Sequence, residues 1–557
     1  MVRSNGISQP CKIMQVSNLP PAQSPQASPR RSRLAQMLGM LRPSHSHTAY
    51  TATVLLMTTT FLSRIIGLVR VKYIAWLFGA GPQTDAYLAA FRLPDLMNYF
   101  LVGGAASITF VTILNRYRER GEEAEGERVL SIVLNVVGIM ILIAIPIAMF
   151  FAAPYIHHTN PGFTPEQVNL SARITRILLP GQLFFFAGGV LGATLLVRRQ
   201  FLYQGLSGIV YNFGIIFGGV LLARQMGISA LAVGATGGAF VGAFALNAWG
   251  ARQAGVRYSF EINLRHPGLI EWLRMTLPLM AGMTLPFLDD YIVGYFASHG
   301  AGEITMLANA KQLFSAPMAV LAQAAGAASL PFFARLWAQK REYDFAVEVA
   351  NSVSRVMALA LLAASGMIAL SGAIVEIIFL GGHFNEADVR QTAVFFAVYS
   401  VSLFLWSAQA IYARAFYAAG NTLLPMIAGT VVTIVSLPIY ATLYHFHGAM
   451  GLAAASDTGI ALQTVSLAVL LHRRRMVSLA SIDVGELGRC IAAGAVSGTI
   501  VWLAIAGAGR VLPAQNRWID LVELVFGGGI WLGVAGILLD RLGSALPRAA
   551  WGRLRRT

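Results

Sequence analysis

The sequence predicts an all-α integral membrane protein of about fourteen transmembrane helices, arranged as two pseudo-symmetric six-helix lobes with two further C-terminal helices. Three observations predict it. Only 12% of the 557 residues are charged and mean hydropathy is +0.63, whereas a soluble chain would carry about twice that charged fraction. Apolar runs of about 20 residues, each enough to cross a bilayer, recur from Thr51 to Leu542. Lys and Arg are strongly asymmetric: 29 of 41 fall in or near one alternate set of connections and four in or near the other. By the positive-inside rule this puts both termini in the cytoplasm, which requires an even number of spans.

The spans are expected near 50–77, 84–115, 129–153, 168–197, 200–222, 228–250, 268–297, 302–334, 345–372, 388–413, 422–444, 449–471, 487–509 and 518–540. The first contains Arg64, Arg70 and Lys72, and the second Arg92. The fourth contains Arg173 and Arg176 ahead of Pro180, the seventh the pair Asp289–Asp290, the eighth Lys311 and the twelfth Asp457. Residues 1–48 are rich in Ser, Pro, Gln and Arg, which reads as a disordered basic cytoplasmic tail or an extension ahead of a start at Met37 or Met40. Residues 50–253 form the first lobe, 267–473 the second, 486–541 the two added helices and 542–557 a second basic tail. No cleavable signal peptide is expected.

A net charge of +16 would suggest nucleic acid in a soluble chain. Here the charge marks the cytoplasmic face, so no nucleic-acid partner is expected. Cys11 and Cys490 give neither a disulfide framework nor metal spacing. The pair His157–His158 lacks a carboxylate or cysteine at metal spacing. No nucleophile–base arrangement stands out, which argues against an enzyme. No GxxxxGK[ST] loop is present and the connections are too short for a nucleotide-binding domain, so ATP is not the direct energy source.

Cations inside apolar segments are the most informative feature. Each costs about 2.5–3.5 kcal/mol on the insertion scale and normally faces a wet cavity. Several from different helices meeting in one cavity would suit an anionic substrate, so the chain reads as a polytopic transporter. Arg70 suits an anionic group because its planar fork donates two hydrogen bonds. Arg64 lies six residues earlier, about 120° away around the helix; it either joins the cavity, caps a helix end or pairs with a carboxylate. Snorkelling is the expected fate of Lys72, Arg173 and Arg176. Asp85 either complements its own helix dipole with Thr84 as cap or serves as a gate pairing with a cation in one access state. Arg92 lies seven residues on and can share its face.

A weak repeat supports two lobes. 'LFGAGPQTDAYLAAFRL' (77–93) parallels 'YFASHGAGEITMLANAKQL' (295–313), matching Asp85 with Glu303 and Arg92 with Lys311. 'GATLLVRRQFLYQG' (192–205) parallels 'QAIYARAFYAAGN' (409–421). Such repeats place the substrate between the lobes near the midplane.

The segments 'SRIIGLVR' (63–70), 'FGAGPQTDAYLAAFRLPDL' (78–96) and 'ARAFYAAGNTLLP' (413–425) resemble the MurJ/MviN family of lipid II flippases, in the multidrug/oligosaccharidyl-lipid/polysaccharide exporter superfamily. The likeness covers about residues 50–540. It implies a bacterial inner-membrane flippase for an undecaprenyl-diphosphate-linked peptidoglycan precursor, working by alternating access, with other cell-wall synthesis proteins as partners. Alternatives are a flippase for another lipid-linked glycan, a multidrug antiporter of the superfamily, or a scaffold without transport. The substrate-binding set carried over is Arg64, Arg70, Asp85 and Arg92, with Lys311 added. The chain departs from the pattern at Asn98 and Tyr99, where arginines are usual, at Gly103, where a glutamate is usual, and at Gln312, where an arginine is usual and Lys311 stands one residue earlier. The resemblance further implies that an acid at Asp290 helps bind sodium. With Asp457 it would hold Na⁺ or carry a proton; otherwise Asp290 neutralises a cavity cation such as Arg70 or Lys311.

Overall fold

The computed structural model describes residues 49–101, 105–280, 285–508, 517–544 and 546–547. The basic tail 1–48, Gly103 and residues 548–557 lie outside them. The described residues are almost wholly helical and contain no strand, only an isolated bridge between Gly381 and Phe384. In chain order the helices are α1 (Ala49–Phe78), α2 (Pro82–Leu101), α3 (Ala105–Glu119), α4 (Glu123–Thr159), α5 (Pro165–Leu178), α6 (Gly181–Val197), α7 (Leu202–Met226), α8 (Ser229–Gly238), α9 (Leu246–Gln253), α10 (Pro267–Met280), α11 (Leu285–Ala297), α12 (Glu303–Met318), α13 (Ala325–Ala338), α14 (Glu342–Ala369), α15 (Ser371–Phe379), α16 (Glu386–Val401), α17 (Leu403–Ala418), α18 (Leu423–Arg473), α19 (Val484–Ala508) and α20 (Arg517–Arg541). Two π-helical stretches, Ala239–Ala245 and Ala319–Ala324, join α8 to α9 and α12 to α13.

Among the described residues, nine helices are long and apolar enough to cross a membrane, or ten if the bent pair α16–α17 is one span. The chain is a multi-pass membrane protein. The 51-residue α18 covers two of the expected spans, which meet at Gly448 with a left-handed φ of 56°. Helices α1 and α2 fall outside the nine, and both carry charges that line the cavity below.

Local chemistry explains several boundaries. Helix α5 starts with a reciprocal capping box between Thr164 and Gln167 and Pro165 in its first turn. Asn385 and Asp388 form the same box at α16. Helix α4 opens with Glu123 and Glu125, which complement its dipole, and closes near His157 and His158. Helix α1 ends at Gly79, whose φ is +69° and where a Cβ would strike the His383 carbonyl.

Helices α7, α8 and α1 pack together, as do α2 with α5 and α3 with α6. Later in the chain, α14 packs on α17 and α19, α12 on α16, and α11 on α18. Helix α10 lies against α3 and α4, and its Leu269 and Trp272 join their buried cluster. The two groups of helices meet at one end. There, Ala75, Ala89, Ile156 and Phe163 share a buried apolar cluster with Ile304, Leu307, Phe379 and Phe384. The His383 amide donates to the Trp76 carbonyl at 3.0 Å, and the Gly162 amide to the Ser298 hydroxyl at 3.1 Å.

Candidate functional site

Beneath that sealed end lies a cavity of about 570 Å³ between α1, α2, α7, α11, α12 and α16. Its charged lining comprises Arg70, Arg92, Lys311, Asp95 and Asp290. Three of the five expected substrate-binding residues therefore meet in one space, though they are scattered over 240 residues of sequence.

Their states differ. Arg70 enters half-buried and makes no hydrogen bond or ion pair with the described residues. Arg92 is buried, its Nη1 donates to Asn160 Oδ1 at 2.6 Å, and its guanidinium lies on Gly294 so closely that a Cβ there would overlap it. The Tyr291 hydroxyl holds the Arg92 carbonyl at 2.9 Å. Lys311 Nζ contacts Asp289 Oδ2 and Asp290 Oδ1, both at 2.5 Å. Of the three cavity cations, only Arg70 makes no hydrogen bond or ion pair among the described residues, though Asp95 lines the same space.

Asp85 sits at the roof, buried. Its Oδ2 accepts from the Gly302 amide at 2.6 Å, and its Oδ1 from the Thr305 amide at 2.8 Å and the Thr305 hydroxyl at 2.6 Å. Its carboxylate thus caps α12, 217 residues away, while Asp85 stands in the first turn of α2, where its charge also complements that helix's dipole. Thr84 donates instead to the Gly79 carbonyl at 2.9 Å. The carboxylate therefore joins the two matched turns through two main-chain amides and the Thr305 hydroxyl, with no cation among its hydrogen-bond partners in the described residues. Gly302 has φ +81°, and a Cβ there would lie 3.0 Å from the Ala80 carbonyl, so the two matched turns touch directly.

Arg64 is exposed and lies outside the cavity lining. Arg173 and Arg176 are exposed too, with Arg176 Nε on the Met149 carbonyl at 3.0 Å. Lys72 does not simply snorkel: its Nζ meets the Ile377 carbonyl at 2.9 Å, near the C-terminal end of α15, where a cation complements the helix dipole.

Behind Lys311 is a pocket of about 20 Å³ bordered by Asp289, Lys311, Tyr399, Ser456 and Asp457. The acid that shares this pocket with Asp457 is Asp289, whereas Asp290 turns toward the cavity. Adjacent helix positions differ by about 100°, so the two carboxylates grip Lys311 from separate directions. Asp289 is buried, and its Oδ1 accepts from the Ser456 hydroxyl at 2.6 Å and from the Tyr440 phenol. Of the two readings of Asp290, the contact seen is neutralisation of Lys311.

Sequence reasoning missed Asp95, Asn160 and the role of Asp289. Asp95 was within reach: it follows Arg92 by three residues, so the two share a helix face. At the departures from the family pattern, Tyr99 stacks on Phe287 with ring centres 4.0 Å apart. Asn98 lines a side chamber of about 230 Å³ with Asp95 and Gln182. Gln312 lines the central cavity beside Lys311.

Comparison with known proteins gives a consistent result. The sequence model described as "Lipid II flippase MurJ" matches residues 74–511. The probable lipid II flippase MurJ of Vibrio cholerae is 24% identical over 497 residues, covering 86% of this chain and 93% of that protein. That of Rhizobium meliloti is 24% identical over 510 residues, covering 88% and 95%. A solved lipid II flippase MurJ in an inward closed conformation superposes with a TM-score of 0.73 at 20% identity, covering 88% of this chain and 99% of that one. An inward-facing MATE family multidrug transporter follows the same fold with a TM-score of 0.61 at 15% identity, covering 76% and 98%.

Proposed function

The chain belongs to the MurJ family of lipid II flippases, and from that premise we propose that it carries lipid II from the inner to the outer leaflet of the bacterial inner membrane by alternating access. The observation that carries the reading is the cavity between the two helix groups, sealed at the Asp85 end and lined by Arg70, Arg92 and Lys311. A diphosphate leaving water needs donors that replace its hydration. Arg70 offers an uncommitted fork. Lys311 joins by exchanging Asp290, whose side chain is 67% exposed, for a phosphate oxygen. Arg92 is held by Asn160 and Gly294 and supplies fixed positive potential. Asp95 and Asp290 offset part of this charge, which favours release once the cavity faces the other leaflet.

The lysine and arginine asymmetry supports cytoplasmic termini, with the sealed end outside. In this state the cavity is shut toward the outer leaflet. Breaking the Asp85 latch would let one lobe rock against the other. The membrane potential or a coupled cation supplies the energy.

The test is complementation of a strain depleted of its own lipid II flippase. The parent chain should restore growth and surface exposure of lipid II, and an Arg70→Ala variant inserted at equal level should not. Failure of the correctly inserted parent would sink the proposal and favour transport of another lipid-linked glycan, or a scaffold.

A further inference from the structure

The family resemblance implies sodium beside Asp290, and the acids around Lys311 are where such an ion would sit. Their oxygens do not fit a metal ion. Asp289 Oδ2 accepts from Lys311 Nζ, and Oδ1 accepts from the Ser456 hydroxyl and the Tyr440 phenol. Both oxygens of this buried carboxylate already face donor hydrogens. The same ammonium takes Asp290 Oδ1 at 2.5 Å. It therefore fills the role of a bound cation, with carboxylate partners from adjacent positions of α11.

The space left behind it, about 20 Å³, is close to one water molecule in size. The Tyr399 hydroxyl is buried without a hydrogen-bond partner among the described residues, and Asp457 borders the pocket, so polar groups for a water are present. A metal ion there would lie directly against the ammonium and be repelled by it. Lys311 also lines the central cavity. One side chain thus faces both the substrate space and the acid pocket.

We infer that the Lys311 ammonium is the counter-cation of the Asp289–Asp290 pair, tethered to the chain in place of an exchangeable metal ion, so that this protein needs no sodium. The inference concerns the coupling chemistry and stands apart from the substrate assignment.

The experiment uses the full chain in detergent, with no lipid substrate. Binding of ²²Na⁺ is measured at equilibrium, and melting is compared in sodium, potassium and N-methylglucamine chlorides at equal ionic strength. The parent should show no saturable ²²Na⁺ binding and the same melting midpoint in sodium and potassium. Lys311→Met empties the cation position while keeping a long side chain. That variant should gain saturable ²²Na⁺ binding and a sodium-specific rise in midpoint, both lost again when Asp289→Asn is added. Saturable binding in the parent that Asp289→Asn abolishes would overturn the inference, as would a folded Lys311→Met variant indifferent to sodium. If Lys311→Met does not fold, the parent measurement decides alone. Since no lipid is present, neither outcome bears on which lipid is moved.

Discussion

Replacing Asp85 with Asn should unlatch the sealed end. The wild-type carboxylate accepts three hydrogen bonds from α12, at 2.6, 2.8 and 2.6 Å. Asn keeps one acceptor oxygen and turns an NH₂ toward donors that cannot receive it. At least one bond to a charged acceptor is lost, worth about 1.5–3 kcal/mol. The interaction of the negative charge with the α12 N-terminus is lost as well, up to about 2 kcal/mol in a partly buried setting. A net shift of about 2–4 kcal/mol moves the closed-to-open ratio by roughly 30- to 1000-fold. The assay is labelling of a single cysteine at Gln312, on the cavity wall, with Cys11 and Cys490 replaced and an impermeant maleimide added outside intact cells. The parent should be protected and Asp85→Asn labelled. Equal protection in both, at equal membrane levels, would refute the latch.

Arg70→Ala should abolish export with insertion intact, and Arg70→Lys should restore it only partly; each lost charge-assisted hydrogen bond to diphosphate should weaken binding roughly 10- to 150-fold, read with labelled lipid II. Gly294→Ala should push Arg92 off Asn160 and cost about 1–3 kcal/mol by overpacking, seen as a lower melting temperature that Arg92→Met in the same chain recovers. A cysteine at Glu166, which is exposed, should react from outside while a reporter fused at Thr557 reports the cytoplasm; the same side for both would sink the topology. Glu261, in the connection before α10, is hydrogen-bonded by Arg128 of α4, which holds its carboxyl below the usual glutamate range. The folded value is depressed, so this clamp is fully present above the ordinary glutamate pKa and fades only as pH falls from there through the lower folded value. Limited proteolysis of residues 254–266 should therefore be unchanged between neutral and mildly acid pH and rise only in stronger acid.

Membrane helices were legible because hydrocarbon demands long apolar runs, and three of the seven cations that interrupt them line the cavity. Arg70, Arg92 and Lys311, singled out by their cost in hydrocarbon and by the resemblance, line it together. Pairing was harder to read. Nothing in residues 77–93 says that Asp85 will meet Gly302, because two of the three donors are main-chain amides, which leave no mark in the sequence. Choosing between Asp289 and Asp290 required the rotation of α11 relative to α12 and α18, which one-dimensional periodicity does not contain. Arg64 shows the same gap: its cost in hydrocarbon is plain from sequence, but whether it meets cavity, water or headgroup depends on its depth and on how α1 is turned.

The latch joins an encoded half to a half that is nearly invisible to mutation. Two of its three donors are peptide N–H groups, which only proline can delete, while the third is the Thr305 hydroxyl. Point changes that weaken the closure should therefore concentrate at Asp85 and, more mildly, at Thr305. A genetic screen for strains that leak small polar reagents through this protein should return position 85 repeatedly and the neighbouring residues of the α12 turn rarely. The exception is Gly302, held by its backbone angle and by Ala80 rather than by any bond of its side chain. Natural drift should have the same lopsided freedom: α2 must preserve a particular acid, while α12 must preserve a start in the right place, with Gly302 before it and, less strictly, Thr305.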